Sequence, residues 1–433
     1  MDVNEAIGWI HGRLPFGIKP GLKRMEWFME QLDHPENKLR AIHIAGTNGK
    51  GSTLSYIRNL LQYHGFRVGT FTSPYIMKFH ERISLNGIPI SDEDLVHHVK
   101  KIKPLYEKLE QTPLGAATEF EVITAIAFDY FAQQEVDYVI FETGLGGRLD
   151  STNIVRPLIT VITNVGKDHM NILGDTYEEI AFEKAGIIKN RIPLVTAVNQ
   201  RDARKVVCSQ ARKMHAPVYE YGKDFFSSNH QLDEGKEHFT FQSSAVQLDD
   251  ITLNMKGTHQ TVNASLALQT FLLLTEMEKL EFDPLLVKKA LLHTTWPGRF
   301  EIIQDNPVII LDGAHNEEGI KTLVDTLNRY YPDHRRQLIF TVLHDKPVTG
   351  MLSLLENHVD QFRFTTFDFP RAISPKELYK KSRASHKSWH QSWKEAIEKC
   401  VQTASDKDVI VITGSLYFIS EVRNYFDRIK RLC

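Results

Sequence analysis

Residues 41–53 read Ala-Ile-His-Ile-Ala-Gly-Thr-Asn-Gly-Lys-Gly-Ser-Thr. An apolar, strand-like run passes straight into a glycine-rich turn and then into a helical pattern. Glycines let the backbone turn tightly, so several N–H groups can converge on one anion. The start of the following helix adds partial positive charge. Strand, loop and helix in this order predict a phosphate loop in an α/β fold, with Lys50 bridging the terminal phosphates. The pattern is not a strict Walker A motif. Only Thr47 and Asn48 separate Gly46 from Gly49, and Gly51 stands where Ser or Thr is usual. The hydroxyl that would hold Mg²⁺ then falls to Ser52 or Thr53, with Ser52 preferred. The blander alternative is a glycine turn with a solvated lysine, and the order of the three elements weighs against it.

The rest of the chain repeats the alternation. Segments 138–141 and 158–162 read as buried strands. Segments 52–64, closed by Gly65, and 123–133 read as helices. This predicts a parallel sheet with helices on both faces. Trp296-Pro-Gly-Arg299 interrupts the chain with a Pro-Gly pair. Beyond it, strands are expected at 308–311, 337–342, 361–366 and 409–413. A closing helix is read from Leu416, Ile419, Val422, Phe426 and Ile429, which recur mostly three or four apart. A chain of 433 residues is too long for one core. The expectation is therefore a domain over 1–295 carrying the phosphate loop and a smaller one over 296–433. Residues 219–256, polar and strand-like, are expected to be an irregular excursion of the first.

Charge and cysteine content narrow the classes. Lys and Arg number 52 against 54 Asp and Glu, a net charge of −2. No nucleic-acid partner is implied. Cys208, Cys400 and Cys433 form no CxxC pair, so neither a disulfide framework nor a zinc site is suggested. No run of about 18 apolar residues suggests a membrane span, and the acidic start lacks the basic and apolar regions of a signal peptide. A cytoplasmic protein is expected.

Polar clusters follow the strands. Glu142 opens Glu-Thr-Gly-Leu-Gly-Gly-Arg-Leu-Asp150 at a strand end, where α/β folds bind ligands. A carboxylate there suits Mg²⁺, although it could simply cap Arg148. Asp168-His169 follows the next strand. His169 alone reads as a turn cap, but beside Glu142 and the phosphate loop it reads as a metal ligand, an unusual one for Mg²⁺. Residues 178–189 form an ordinary amphipathic helix with Lys184 as a surface charge. Arg299 is a fixed cation suited to phosphate. Asp312 and His315 follow a strand, in a loop that opens a helix, where polar groups can meet a nucleotide, although by themselves they read equally well as a capping Asp and a surface His.

The ordered set of these segments resembles the folylpolyglutamate synthase/dihydrofolate synthase family of the Mur ligase superfamily. The matching stretches are residues 16–21, 46–53, Thr72-Ser73-Pro74, Glu81-Arg82-Ile83, Thr118-Glu-Phe-Glu121, 142–150, Asp168-His169, Glu183-Lys184-Ala185-Gly186, 259–263, Pro297-Gly-Arg299, Leu311 to Asn316, and 414–420. The resemblance implies a P-loop parallel-sheet domain followed by a smaller Rossmann-like domain that binds glutamate and completes the ATP site. It implies ATP bound by Thr47, Asn48, Gly49, Lys50, Gly51, Ser52, Thr53, Asn263, Arg299, Asp312 and His315. Ser52, Glu142 and His169 would hold magnesium. Lys184 would be the lysine that the family carbamylates, offering an oxyanion to a second ion, and a monovalent cation is a further expectation. Lys50, Lys184 and His169 would be the catalytic groups. Ser73, Arg82, Thr118, Phe120, Glu121, Ser415 and Tyr417 would bind substrate.

The implied partners are folate or dihydropteroate, L-glutamate and ATP, and the implied state is a monomer. The implied reaction is glutamate addition to a folate carboxylate through an acyl phosphate. Two departures stand out: Tyr75 where the family often has His after Thr-Ser-Pro, and Asp345-Lys346-Pro347 where it often has Asp-Lys-Asp. Two other readings compete. One is a Mur-type ligase acting on a cell-wall nucleotide precursor. The other is a silent ATP-binding regulator, against which stand Ser52, Glu142, His169, Lys184, Arg299 and Asp312 together.

Overall fold

The computed structural model describes residues 1–13 and 21–432. Residues 16–20 of the first matching stretch and Cys433 lie outside the described residues. Three sheets make up the fold: one of eight strands, one of three and one of six.

The eight-stranded sheet has Ala41–Ala45 near its middle, paired in parallel with Tyr138–Glu142 on one side and Ile159–Ile162 on the other. All five residues of Ala41–Ala45 are buried, as a strand covered by helices on both faces requires. Leu194–Thr196 and Val218–Glu220 continue the sheet in parallel. At the opposite edge Val68–Phe71 pairs antiparallel with Ile83–Leu85, which turns back into Ile88–Pro89. The expected all-parallel sheet therefore ends in an antiparallel hairpin. The helix Lys50–Tyr63 packs on Thr258–Glu278 and Pro284–Leu292. Thr258–Glu278 buries residues on every side, so no polar face marks it.

Residues 219–256 are not an irregular excursion. Tyr219 and Glu220 belong to the large sheet, and the remainder builds the antiparallel meander Phe225–Asp233, Lys236–Ser243, Gln247–Leu253. Its alternation puts Phe239, Phe241, Ile251 and Leu253 into a core shared with Leu54, Ile57 and Phe271, while the other face stays polar.

After the Trp296–Arg299 linker, six strands run in the order Glu301–Asp305, Val308–Leu311, Asp408–Thr413, Arg335–Phe340, Gln361–Phe364, Lys387–Trp389. Only the first pair is antiparallel. The closing helix spans Leu416–Leu432, with Ile419, Val422 and Phe426 buried. No helix among the described residues is long and apolar enough to cross a membrane.

The two lobes meet at the small sheet. Glu237 of the small sheet is fully buried and accepts from Arg329 Nε and Nη2 at 3.1 and 3.0 Å and from the Tyr330 hydroxyl at 3.0 Å. Removing one partner of a buried pair strands the other's charge, a cost reduced here because Arg329 is 30% exposed. Glu237→Ala is expected to lower unfolding free energy by about 2–3 kcal/mol, measured by denaturant melts. A change under about 0.5 kcal/mol, the usual range for a surface substitution, would show the contact to be idle.

Candidate active site

The strand Ala41–Ala45 delivers its loop to the C-terminal edge of the sheet, beside the ends of Tyr138–Glu142 and Ile159–Ile162. Gly49 has φ +82°, and a Cβ there would lie 2.5 Å from Asn263 Oδ1, so only glycine fits. The Thr53 N–H returns to Gly49 O. That leaves the amides of Lys50, Gly51 and Ser52 without intrahelical partners at the helix start, where an anion is favoured.

The front of the loop is braced instead. Asn164 Oδ1 accepts from the Thr47 and Asn48 N–H groups, at 3.2 and 2.9 Å. The Thr47 hydroxyl donates to Gly166 O and accepts from Gly166 N. The amides of 50–52 are therefore among those left open to an anion, while Thr47 and Asn48 hold the loop to the neighbouring strand end. Gly51 occupies the usual hydroxyl position for a steric reason: a Cβ there would meet the Trp296 indole at 2.7 Å.

Lys50 Nζ lies 3.1 Å from Gly46 O and 3.8 Å from Glu142 Oε1. Burial raises the Glu142 carboxyl above its ordinary range, opposed by Lys50, Arg299 and the Ser73 N–H. His169 sits at φ +50° and opens the short helix Met170–Leu173. Burial pushes its imidazole down to about 4, against the pull of Asp168. It is neutral at pH 7, with a lone pair free for a cation.

Lys184 is no surface charge. Its residue is 3% exposed, on the inner face of Tyr177–Ala185. Among the described residues no hydrogen bond or salt bridge holds its amine. Burial, with the charge of Lys50, pushes it down to about 7. Glu142, His169 and Lys184 line one cleft with Lys50, Arg299 and His315.

The second lobe contributes through two segments. Asp312 takes the Phe300 N–H at 2.9 Å and the Ala314 N–H at 2.9 Å. It shapes the backbone that carries Arg299 and His315 and does not itself line the cleft. Asp168 receives three donors from this lobe: His315 Nε2 at 3.3 Å, Lys346 Nζ at 2.5 Å and Asn316 Nδ2 at 3.1 Å. Burial would raise its pKa, but His315 and Lys346 hold it well below the usual carboxylate range.

Other expected site residues are placed less directly. Ser52 and Thr53 are buried in the first helical turn and do not line the cleft. Asn263 packs on Gly49 and donates to Gln260. Ser73 lines the cleft. Thr118 and Glu121 form the capping box of Glu119–Gln133, and Glu121 also accepts from Arg24 Nε at 2.8 and 3.0 Å. Their polar atoms are thus spent on local structure. Phe120 instead presses on Gly144, whose Cβ would meet it at 2.5 Å. Arg82 lies over Tyr75 and Phe79 and bonds Glu119. Tyr417 stacks on Phe369 at 4.6 Å. Ser415 is buried, and its hydroxyl has no hydrogen-bond partner among the described residues.

Asn164, Asn316, Lys346 and Trp296 carry no site role in the sequence. Asn316 had a local signal, as the cap residue before a helix, but not one that pointed across the molecule.

Among the described residues no three His, Cys, Asp or Glu side chains converge as a ready metal cluster. The donor set still fits Mg²⁺, which takes one or two carboxylates and draws further oxygens from a triphosphate. Glu142 is such a carboxylate, next to a loop built for phosphate. Lys184 as an amine does not fit; as a carbamate it would.

Residues 44–271 match the Mur ligase middle domain and residues 298–416 the Mur ligase glutamate ligase domain. The chain is 48% identical to the dihydrofolate synthase/folylpolyglutamate synthase of Bacillus subtilis over 420 residues, covering 97% of this chain and 98% of that one. It superposes on Mycobacterium tuberculosis folylpolyglutamate synthase complexed with ADP with a TM-score of 0.92 at 30% identity, covering 98% of each chain. A folylpolyglutamate synthase–AMPPCP–folate complex gives a TM-score of 0.86 at 32% identity, covering 98% of this chain and 99% of that one.

Proposed function

This chain belongs to the Mur ligase family, on its dihydrofolate synthase/folylpolyglutamate synthase branch, and we propose that it joins L-glutamate to both dihydropteroate and tetrahydrofolate at the expense of ATP. The observation that carries this reading is the convergence of Lys50, Glu142, His169, Lys184, Arg299 and His315 on one cleft, from both lobes.

The reaction has two stages. A substrate carboxylate oxygen attacks the γ-phosphorus and ADP leaves, giving an acyl phosphate. The glutamate amine then attacks the acyl carbon, phosphate leaves and the amine loses a proton. The first stage brings two anions together, so the protein must neutralise charge on the transferring group. Lys50 and the amides of 50–52 do so from below, and Arg299 from the second lobe. Glu142, His169 and a carbamylated Lys184 would hold Mg²⁺, with Ser52 behind them. That ion supplies further neutralisation of the phosphates. Arg82, over the Tyr75 and Phe79 rings, and Phe120 are the groups that would meet a flat pterin, and Ser73 lines the cleft.

The test is glutamate-dependent phosphate release, with dihydropteroate, tetrahydrofolate or a muramyl nucleotide as acceptor. Release with both pteroyl acceptors is expected. Ligation of the muramyl nucleotide alone would overturn the proposal, and nucleotide binding without release would favour a silent regulator.

A further inference from the structure

Asn316 is fully buried at the start of the helix Glu317–Tyr330. A primary amide has two N–H donors and two acceptor lone pairs, and this one uses all four. Its Oδ1 accepts the Gly319 N–H at 2.8 Å, capping the helix, and the Asn48 Nδ2 at 3.2 Å. Its Nδ2 donates to Asn48 Oδ1 at 3.1 Å and to Asp168 Oδ2 at 3.1 Å. The cap fixes which atom is oxygen, because only oxygen can take the Gly319 N–H. Three of the four bonds cross between lobes.

The partner is equally fixed. Asn48 donates its backbone N–H to Asn164 and accepts on its carbonyl from Thr163 Oγ1 at 2.6 Å. Asn48 is thus tied to a strand end of the first lobe, two residues ahead of Lys50. Helix capping alone does not explain the residue type. Ser or Asp would cap as well, but Ser lacks the reach and the second polar atom, and Asp would set a carboxylate against Asp168.

We propose that Asn316 is a positioning residue, whose reciprocal amide pair with Asn48 registers the second lobe on the phosphate loop and so brings Arg299 and His315 over the cleft. The proposal rests on the ligase reading, since it concerns assembly of that site.

Asn316→Ser keeps the cap and removes the pair together with the bond to Asp168. Its melting temperature is expected to stay within a few degrees of the parent. Its kcat should fall about 10- to 100-fold, as loss of the three interlobe hydrogen bonds biases the lobes apart. Small-angle scattering with AMPPCP should show a larger radius of gyration than the parent. Asn48→Ala leaves the cap untouched and carries the same test if Asn316→Ser fails to fold. The double variant should be no worse than the poorer single one, because the pair is already gone. Parent-like turnover with the parent's radius, or fully additive losses, would overturn the proposal. If the parent releases no phosphate with any pteroyl acceptor, the ligase reading fails. Scattering then still decides whether the amide pair holds the lobes together.

Discussion

Lys50→Ala is expected to reduce glutamate-dependent phosphate release about 10³-fold or more, with the fold unchanged. Its ammonium is largely sheltered, between Gly46 O and Glu142. A charge in so enclosed a place acts through a low effective dielectric, so it is worth more there than at a surface. The carboxylate and the γ-phosphoryl group repel until cations offset them. Removing one such cation removes stabilisation that grows as the phosphoryl group transfers. A 10³-fold loss corresponds to about 4 kcal/mol of transition-state free energy, in the range of one well-placed group in phosphoryl transfer. Because the interaction strengthens toward the transition state, kcat should fall more than the KM for ATP rises. Lys50→Arg should rescue little, since the planar guanidinium cannot occupy the point-charge position beside Gly46. Circular dichroism on the same preparation guards against misfolding. A Lys50→Ala protein as active as the parent would remove this residue from the chemistry.

Much of the frame was legible because it is local. The 41–53 run declares strand, turn and helix within one short window. The strands at 138–142, 159–162 and 308–311 are apolar enough to announce burial. What the sequence hid depends on partners far along the chain. The resemblance implied Thr118 and Glu121 as substrate groups, and the Thr-x-x-Glu spacing is also a capping signal that begins the helix at Glu119. The meander over 225–253 looked irregular because each strand has only one buried face, and that face rests on helices elsewhere in the sequence. Asp168 carried no sign of its three cationic and amide partners, which come from residues 315, 316 and 346. Pro347, a departure from the family pattern, leaves Lys346 in place and in contact with Asp168. Lys184 was the deepest miss from composition, because an amphipathic pattern places lysine outside and only the packing of Tyr177–Ala185 places it within.

That burial makes a second large effect measurable. Lys184→Ala is expected to lose at least about 10²-fold in kcat, by analogy with other removed electrostatic groups. More specific is its dependence on CO₂. Carbamate formation joins the neutral amine to CO₂ as R–NH–COO⁻ and releases a proton, so only the uncharged lysine reacts. An ordinary lysine, with a pKa of about 10.4, is neutral in roughly one molecule in 2,500 at pH 7. With the amine pushed down to about 7, half the molecules are reactive there. The sign follows directly: a lowered lysine pKa means the neutral form accumulates as pH rises through 7. At fixed dissolved CO₂, activation of CO₂-stripped enzyme should therefore speed up about tenfold from pH 6 to pH 8, as the neutral fraction climbs from about 0.1 to about 0.9. A surface lysine would give a hundredfold rise over the same interval. Carbon-13 NMR with labelled CO₂ should show a carbamate signal in the parent that is absent in Lys184→Ala. An enzyme indifferent to CO₂ stripping, with no such signal, would leave Lys184 as a buried amine and remove it from the metal-binding set, so that Glu142 and His169 would hold the ion with the phosphates alone.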